Sequence, residues 1–586
     1  MRQWMVAAKK ADFYAIAEKF HVDPVVARII RNREVIGEKN IRIYLGGNLS
    51  DLSDPHQMKD MDRLVEILAQ KIRKQVHIRI IGDYDVDGVT SSHLFLTALR
   101  RVGAKVDVVI PHRIQDGYGL SLHLLQQAKE DGVDTILTCD NGIAAIDEIA
   151  WAKAQKMTVL VTDHHAVPFE EHEGRRTEKK SLADAVVNPH QQDCGYPYKE
   201  LCGAGVAWNV IRVLYENYDM DKREAEDLLD FVAMATVCAV MSLTGENRIL
   251  VKEGLKRIRH TKNIGLQALM QACNVQPENI SAYHFGYVLG PCVNATGRLD
   301  TARHALRLFE TGQETEAEEI ARDLVDLNQE RKELTLQGVE MAKKLCEEGG
   351  YENDPILVLF LPDVHESIAG LIAGRIREMY NRPVFVLTRG EEGVKGSGRS
   401  TENYSMYENM CGCAELFTKF GGHPMAAGLS LPEENVEKFR RKINENCPLT
   451  VEEVCPDIHI DMAMPVGYAS TELVHQFALL EPFGKDNPSP LFADRNLSIS
   501  RMWVIGKNRN VLRMSVLSEY GQPVPVIFFG DVETLFAYFT EKFGQEEVEN
   551  ALHGRKNRIL FSMVYTAKVD FYQGNENLQL EMKYYR

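Results

Sequence analysis

Residues 77–93, HIRIIGDYDVDGVTSSH, constrain the fold more than any other stretch of the chain. Ile78, Ile80 and Ile81 form a short β-branched run that reads as a buried strand. It ends in Gly82, and Asp83, Asp85 and Asp87 follow before Gly88 and a helical pattern from Leu94 to Leu99. Three carboxylates at the mouth of a strand repel one another and cost desolvation. An acidic surface turn is the plain alternative to a cation site. An EF-hand loop does not fit, because no Glu stands at the twelfth position and a strand, not a helix, comes first.

The pattern recurs. Residues 134–138 (DTILT) read as a second strand that delivers Cys139-Asp140-Asn141-Gly142, and 158–162 (TVLVT) as a third that delivers Asp163-His164-His165. Amphipathic stretches near 121–130 and 143–156 read as crossover helices. In an open parallel sheet the strand ends on one side line the ligand crevice, so carboxylates and imidazoles far apart in sequence converge there. Clustered Asp oxygens with one or two His nitrogens suit Mn²⁺ or Mg²⁺, mixed ligands favouring manganese. Asp is short and bridges two ions easily, the two-metal arrangement that hydrolyses phosphate esters.

The 586 residues suffice for three or four domains. No stretch has the length and apolarity of a membrane span, and the opening residues lack a signal peptide's apolar segment. Eleven cysteines without a regular framework fit reduced thiols, and the expected location is cytoplasmic. A formal charge of −16 argues against nucleic acid coating the whole surface but leaves room for a local basic channel.

Strands at 77–81, 106–110, 134–138, 158–162 and 184–187 build a first α/β domain, with 170–179 (EEHEGRRTEK) as an exposed loop. Residues 203–205 suggest a tight helix entry, and 301–346 a long charged connecting helix. A second α/β domain carries strands at 356–360 and 384–387, followed by two Gly-rich turns, KGSGRS (395–400) and FGGHP (420–424). From about 456, short strands with period-two alternation suggest a small barrel.

These segments fall into an ordered series of motifs: GDYDVDGVTS (82–91), HRIQDGYGL (112–120), TCDNG (138–142), TDHH (162–165), LCGAGVAW (201–208), NATGRL (294–299), HESIAGLIAGR (365–375), KGSGRS (395–400), FGGHPMAAG (420–428) and LEPFGKDNPSPLF (480–492). In this series and in its domain order the chain resembles the RecJ single-strand exonucleases of the DHH phosphoesterase superfamily. The resemblance implies an N-terminal helical region (1–75), a parallel-sheet DHH domain (76–300), a connecting helix (301–354), a second α/β domain of DHHA1 type (355–455) and an OB-like β-barrel that binds nucleic acid (456–586). It implies 5′-to-3′ hydrolysis of single-stranded DNA carrying a 5′ phosphate, with release of mononucleotides in repair and recombination. Two Mn²⁺ or Mg²⁺ ions are the implied cofactors. A single-strand-binding protein and a RecQ-type helicase are the implied partners, with no membrane.

Carried over by position, Asp83, Asp85, Asp87, Asp140 and His164 become the metal-site residues. Asp163 orients a neighbouring imidazole, and His165 contacts the scissile phosphate or moves a proton. Arg113 and Arg298 become contacts near the phosphate being cut, since a planar guanidinium fits phosphate oxygens bidentately. Lys395, Ser397 and Arg399 are expected to hold the 5′ phosphate, with His423 lining the same cleft. Cys292 stands where an Arg is frequent in the family, and Asp486 where a Gly is. Ala239 occupies the place of an Asp that is a further metal ligand. From this follows the expectation of a weakly held metal and an inactive or impaired chain, either engineered or naturally changed. Two other functions remain open: a DHH phosphodiesterase acting on small nucleotides or short oligoribonucleotides, and a non-catalytic single-strand-binding scaffold.

Overall fold

The computed structural model describes residues 3–113, 116, 119–172, 175–390, 393–506, 509–572 and 574–586. The motif at 112–120 and the insertion at 170–179 therefore lie partly outside the described residues. The chain forms two compact units. One comprises Leu52–Met241 and Ile249–Pro456; the other comprises Gln3–Asp51, Ser242–Arg248 and Asp457–Arg586. Among the described residues no helix is long and apolar enough to cross a membrane.

The first unit opens on a five-stranded, wholly parallel sheet. Its strand order is Val106–Val109, Ile78–Ile81, Thr135–Cys139, Thr158–Thr162, Ala185–Val187. Helices cover both faces, which is why Ile78–Ile81 and Thr135–Cys139 are buried at every position, the ion-paired Arg79 included. From Ile78–Ile81 the chain crosses to Val106–Val109 on one side and then to Thr135–Cys139 on the other. The order reverses at that strand, so the aspartate loop leaves the sheet where a crevice opens. Ile81 pairs with Thr138, and Thr138 with Val161, so the three loops carrying Asp83, Asp140 and Asp163 leave the sheet at nearly one level. The insertion is a two-stranded hairpin, Phe169–His172 with Arg175–Glu178, rather than a loop.

Glu314–Glu348 is one helix of 35 residues, about 50 Å long at 1.5 Å per residue. It begins later than the charge pattern suggests, because Arg303–Glu310 is a separate helix and Thr311–Gln313 is not helical. It packs against helices Ile264–Ala272, Gly290–Leu299 and Glu366–Tyr380. At Gly338 a Cβ would stand 2.3 Å from Ile372 Cδ1, so glycine permits the close approach.

The second sheet of this unit runs Lys419–His423, Ala426–Leu431, Gly393–Arg399, Val384–Gly390, Leu357–Phe360. The two Gly-rich segments expected as turns are strands. In Lys395-Gly-Ser-Gly-Arg399 the alternation is that of a pleat: a Cβ at Gly396 would meet Leu387 Cδ2 at 2.4 Å, and one at Gly398 Met406 Sδ at 2.3 Å. Glycine is needed here for close packing and not for a bend. The alternate positions, 395, 397 and 399, point to the opposite face.

In the second unit the strands Phe492–Ile505, Val511–Leu517, Pro523–Phe529, Asn575–Tyr585 and Leu560–Tyr572 pair in that order, and the last pairs back onto the first. The circuit is a closed OB-like barrel. Leu512, Met514 and Val516 alternate inward with Val524, Val526 and Phe528. Helices Pro24–Asn32 and Glu38–Gly46 share its core through Val26, Ile29, Ile30, Ile41 and Tyr44, and Trp4–Val6 pairs in parallel with Ile458–Ile460.

Candidate metal centre and phosphate cleft

Each side chain of the cluster is placed by a strand end or a helix start. Asp85 caps helix Val86–Arg101, its Oδ1 accepting from the Gly88 amide at 3.0 Å. Asp140 follows strand Thr135–Cys139 in a left-handed conformation, φ 62°. Asp163 follows Thr158–Thr162; its Oδ1 accepts from the amides of His164 (2.7 Å) and His165 (3.1 Å) and from His165 Nδ1 (2.7 Å). Its Oδ2 accepts from the Ile143 amide at 2.9 Å. That carboxylate therefore fixes the loop and the His165 ring together, leaving Nε2 as the outward nitrogen.

Two triads result. Ligand atoms of Asp83, Asp85 and Asp140 lie within 4.8 Å of one another, and so do those of Asp140, His164 and His165. Asp140 belongs to both, the position of a bridging carboxylate. His164 Nε2 lies 3.1 Å from Asp140 Oδ1 and 3.6 Å from Asp87 Oδ2. Asp87 itself is held by the start of helix Gly203–Asn217, its oxygens accepting from the Gly203 and Ala204 amides at 2.7 Å each. It borders the cluster while tied to that helix. Gly203 is required there: a Cβ would stand 2.6 Å from Asp140 Cβ and 2.8 Å from its Oδ1.

The electrostatics show what the cluster lacks. Burial, and after it the neighbouring carboxylates, push Asp83 and Asp140 well above the usual carboxylate range, and Asp85 is raised by burial and by Asp87. Burial lowers His164. For His165 burial acts downward too, but the Asp163 hydrogen bond and charge outweigh it and the ring is raised. Asp83 Oδ1 is buried with no hydrogen-bond partner. Crowded carboxylates, an orphaned oxygen and an imidazole fit a hard divalent cation as the compensating charge.

Ala239, at the C-terminal end of helix Leu229–Cys238, offers no ligand atom, and both triads close on the strand-end loops without one. The expectations built on Ala239, a deficient metal site and an inactive or weakened chain, are overturned by these intact Asp and His clusters. No disabling substitution, engineered or natural, needs explaining.

Beside the cluster lies a cavity of about 450 Å³, lined by Tyr84, Arg113, Ser367, Lys395, Ser397 and Lys419 among others. Arg113 lies over the Tyr84 ring, 4.8 Å from its centroid. Arg298 donates to the Ser367 carbonyl at 2.5 Å. Burial, then Arg113, Arg331 and Arg399, push its pKa down to about 10. Burial and the guanidinium groups of Arg377 and Arg113 likewise lower Arg399. Guanidinium groups crowded in this way suit a phosphate-like anion as the compensating charge. Lys395 is paired with Glu366 at 2.8 Å. His423 is exposed at the end of its strand, and Lys419, Phe420 and Gly421 of that strand line the cavity instead.

Several contributors carry no sequence signal strong enough to find them. Arg331, inside LVDLNQERKEL of the long helix, reads as an ordinary surface charge; Asn328 Oδ1 accepts its Nε and Nη2 at 3.1 and 2.9 Å. Asn294 accepts from the Val86 amide at 3.2 Å and so ties NATGRL to the aspartate loop. Cys292 is buried against Cys273 and Asn328 and does not reach the cleft.

Fold and site together define a class: a parallel-sheet domain with a strand-end Asp/His cluster, joined by one long helix to a second sheet that lines a cavity beside that cluster. Comparison with known proteins agrees. The description of the DHH family, N-terminal domain, matches residues 77–236, that of the DHHA1 domain 353–447, and that of the RecJ OB domain 460–584. The chain is 32% identical to the single-stranded-DNA-specific exonuclease RecJ of Haemophilus influenzae, over 96% of each chain. It is 33% identical to the protein of the same description from Bacillus subtilis over 87% of its own length, a match that spans 63% of that longer relative. A manganese-bound exonuclease RecJ structure superposes with a TM-score of 0.57 at 31% identity, covering 66% of this chain and 94% of the other. The manganese complex of RecJ from Thermus thermophilus shares the fold over the whole of this chain and 79% of its own (TM-score 0.81, 24% identity). The chain belongs to the RecJ family.

Proposed function

We propose that this protein is a metal-dependent exonuclease that hydrolyses single-stranded DNA from a 5′-phosphorylated end. The observation that carries the proposal is the adjacency of the two Asp/His triads to a guanidinium-rich cavity. In this reading Asp83, Asp85, Asp140 and His164 hold Mn²⁺ or Mg²⁺, with Asp87 at the edge of the ligand set. Two such ions supply Lewis acidity and a water activated at neutral pH. That the relatives are single-stranded-DNA-specific exonucleases, and that a 31%-identical structure binds manganese, supports both halves.

The residues of the chain divide the remaining work. Arg298 and Arg113 grip the scissile phosphate and draw charge onto its non-bridging oxygens. His165, oriented by Asp163, whose charge favours the protonated ring, donates a hydrogen bond or a proton from Nε2 toward the oxygen that leaves. Ser397 and Arg399 hold the terminal phosphate on the strand Gly393–Arg399, which sets the end from which nucleotides are counted. The same reading makes a single-strand-binding protein and a RecQ-type helicase the partners to test by co-purification.

The test is hydrolysis of 5′- and 3′-labelled single strands by the full chain with Mn²⁺, beside a cyclic dinucleotide and an Asp140→Asn control. Mononucleotides leaving the 5′ end, lost in the control, support the proposal. Preference for the cyclic dinucleotide would replace it with a small-substrate phosphodiesterase.

A further inference from the structure

The helical run Ala282–Leu299 leaves one face open. Residues 283 and 287 are exposed and 291, 294 and 298 half-buried at helical spacing, while Phe285, Leu289, Cys292, Val293, Ala295 and Thr296 are buried. At the inner end of that stripe Asn294 holds the aspartate loop and Arg298 reaches the cleft. At the outer end Tyr283 and Tyr287 stack with ring centroids 5.1 Å apart and planes 24° from parallel. They are 62% and 71% exposed. Asn294 follows Tyr287 by seven positions, roughly 10 Å along a helical run that is π-helical over Phe285–Leu289.

Tyrosines four apart on a helix stabilise it by a few tenths of a kcal/mol whatever they face. Helix stability does not require that both large rings stay in solvent, nor that they sit on a stripe that leads to the aspartate loop. We propose that Tyr283 and Tyr287 form a base-stacking platform for the single strand, a few nucleotides along from the phosphate being cut. The inference rests on the single-strand reading above. Stacking on tyrosine suits that occupant, because every base has a π-face and the uncharged ring does not repel the backbone. With the terminal phosphate in the cleft and the scissile phosphate at the triads, the strand continues along the same open face toward the tyrosines.

The test uses the full chain in EDTA, so that the strand stays intact, with 2-aminopurine walked along the oligonucleotide from its 5′ end. Fluorescence quenching is expected at one or two neighbouring positions a few nucleotides in. It should vanish in the Tyr283→Ala/Tyr287→Ala double variant, persist in the Phe/Phe variant, and be matched by an affinity loss of about tenfold or more in the Ala variant alone. An unchanged melting temperature certifies the fold of each variant. Equal quenching and affinity in the double-Ala variant would overturn the platform while leaving the single-strand reading standing. Failure of the unaltered chain to bind single strands at all would overturn both.

Discussion

At the scale of single residues the site is held by contacts too close to tolerate an extra atom. Gly203→Ala places a methyl against the Asp140 side chain, so it is expected to lower stability by about 1–3 kcal/mol and to weaken Mn²⁺ binding; calorimetry of unfolding and metal titration read the two effects separately. Gly374, within helix Glu366–Tyr380 and with open space where a Cβ would stand, is the contrast: Gly374→Ala is expected to be neutral or to stabilise by about 0.5–1 kcal/mol. Asp163→Asn keeps the volume but weakens the charge that fixes His165, and a loss of about 10- to 100-fold in activity or metal affinity is expected with the fold preserved. Much of this is legible in the sequence, because Asp83, Asp85, Asp140 and Asp163–His165 all follow apolar runs that read as strands. What Asp87 bonds to is not, since the amides of Gly203 and Ala204 are more than a hundred residues away. Arg331 is hidden by its setting in a charged helix, where one more cation carries no message.

Among the elements, glycine misleads where its spacing informs. Glycine at every second position in 395–399 reads as turn chemistry, yet it serves the close packing of a sheet against Leu387 and Met406. Period two, not glycine content, is the informative signal. Helix Leu229–Cys238 makes a further point, because it carries a carboxylate in its buried first turn. Asp230 is 3% exposed and accepts from Thr261 Oγ1 at 2.6 Å and the Phe231 amide at 2.8 Å. Burial pushes its pKa up to about 6 against 3.8 for the free group. Below about pH 3 the group is protonated in both folded and unfolded chains and costs nothing. As the pH rises past 4 and through 6 the unfolded chain ionises freely and the folded one only at a cost, so stability falls, by roughly 3 kcal/mol at pH 8. Asp230→Asn removes that dependence. Its melting temperature is expected to exceed that of the parent at pH 8 and to approach it at about pH 3, and a scan of melting temperature against pH checks both ends.

For the whole molecule, distance along the chain hides the principal structural partnership. Read locally, the first fifty residues are a small helical region with no sign of what they pack on, and the barrel lies more than 400 residues away. In the fold they share one core: Val26, Ile29 and Ile30 belong to the same cluster as Phe477, Leu480 and Phe492. Buried polar contacts reinforce it. Arg33 Nη1 and Nη2 donate to the Asp461 carboxylate at 2.7 and 3.1 Å, and Tyr44 Oη donates to Asn487 Oδ1 at 2.8 Å. Arg248 donates to the carbonyls of Tyr44, Leu479 and Leu480. Ending the chain after Pro456, just ahead of the matched OB segment, would therefore leave Gln3–Asp51 with an uncovered apolar face and Arg248 without two of its three acceptors. Exposed apolar patches of that kind drive association. The truncated chain is expected to aggregate or bind a hydrophobic dye. Removing Gln3–Asp51 along with the barrel should relieve that defect and improve solubility. Size-exclusion profiles and dye fluorescence of the two truncations decide the matter. A monodisperse, cooperatively melting chain ending at Pro456 would show that the first fifty residues fold without the barrel.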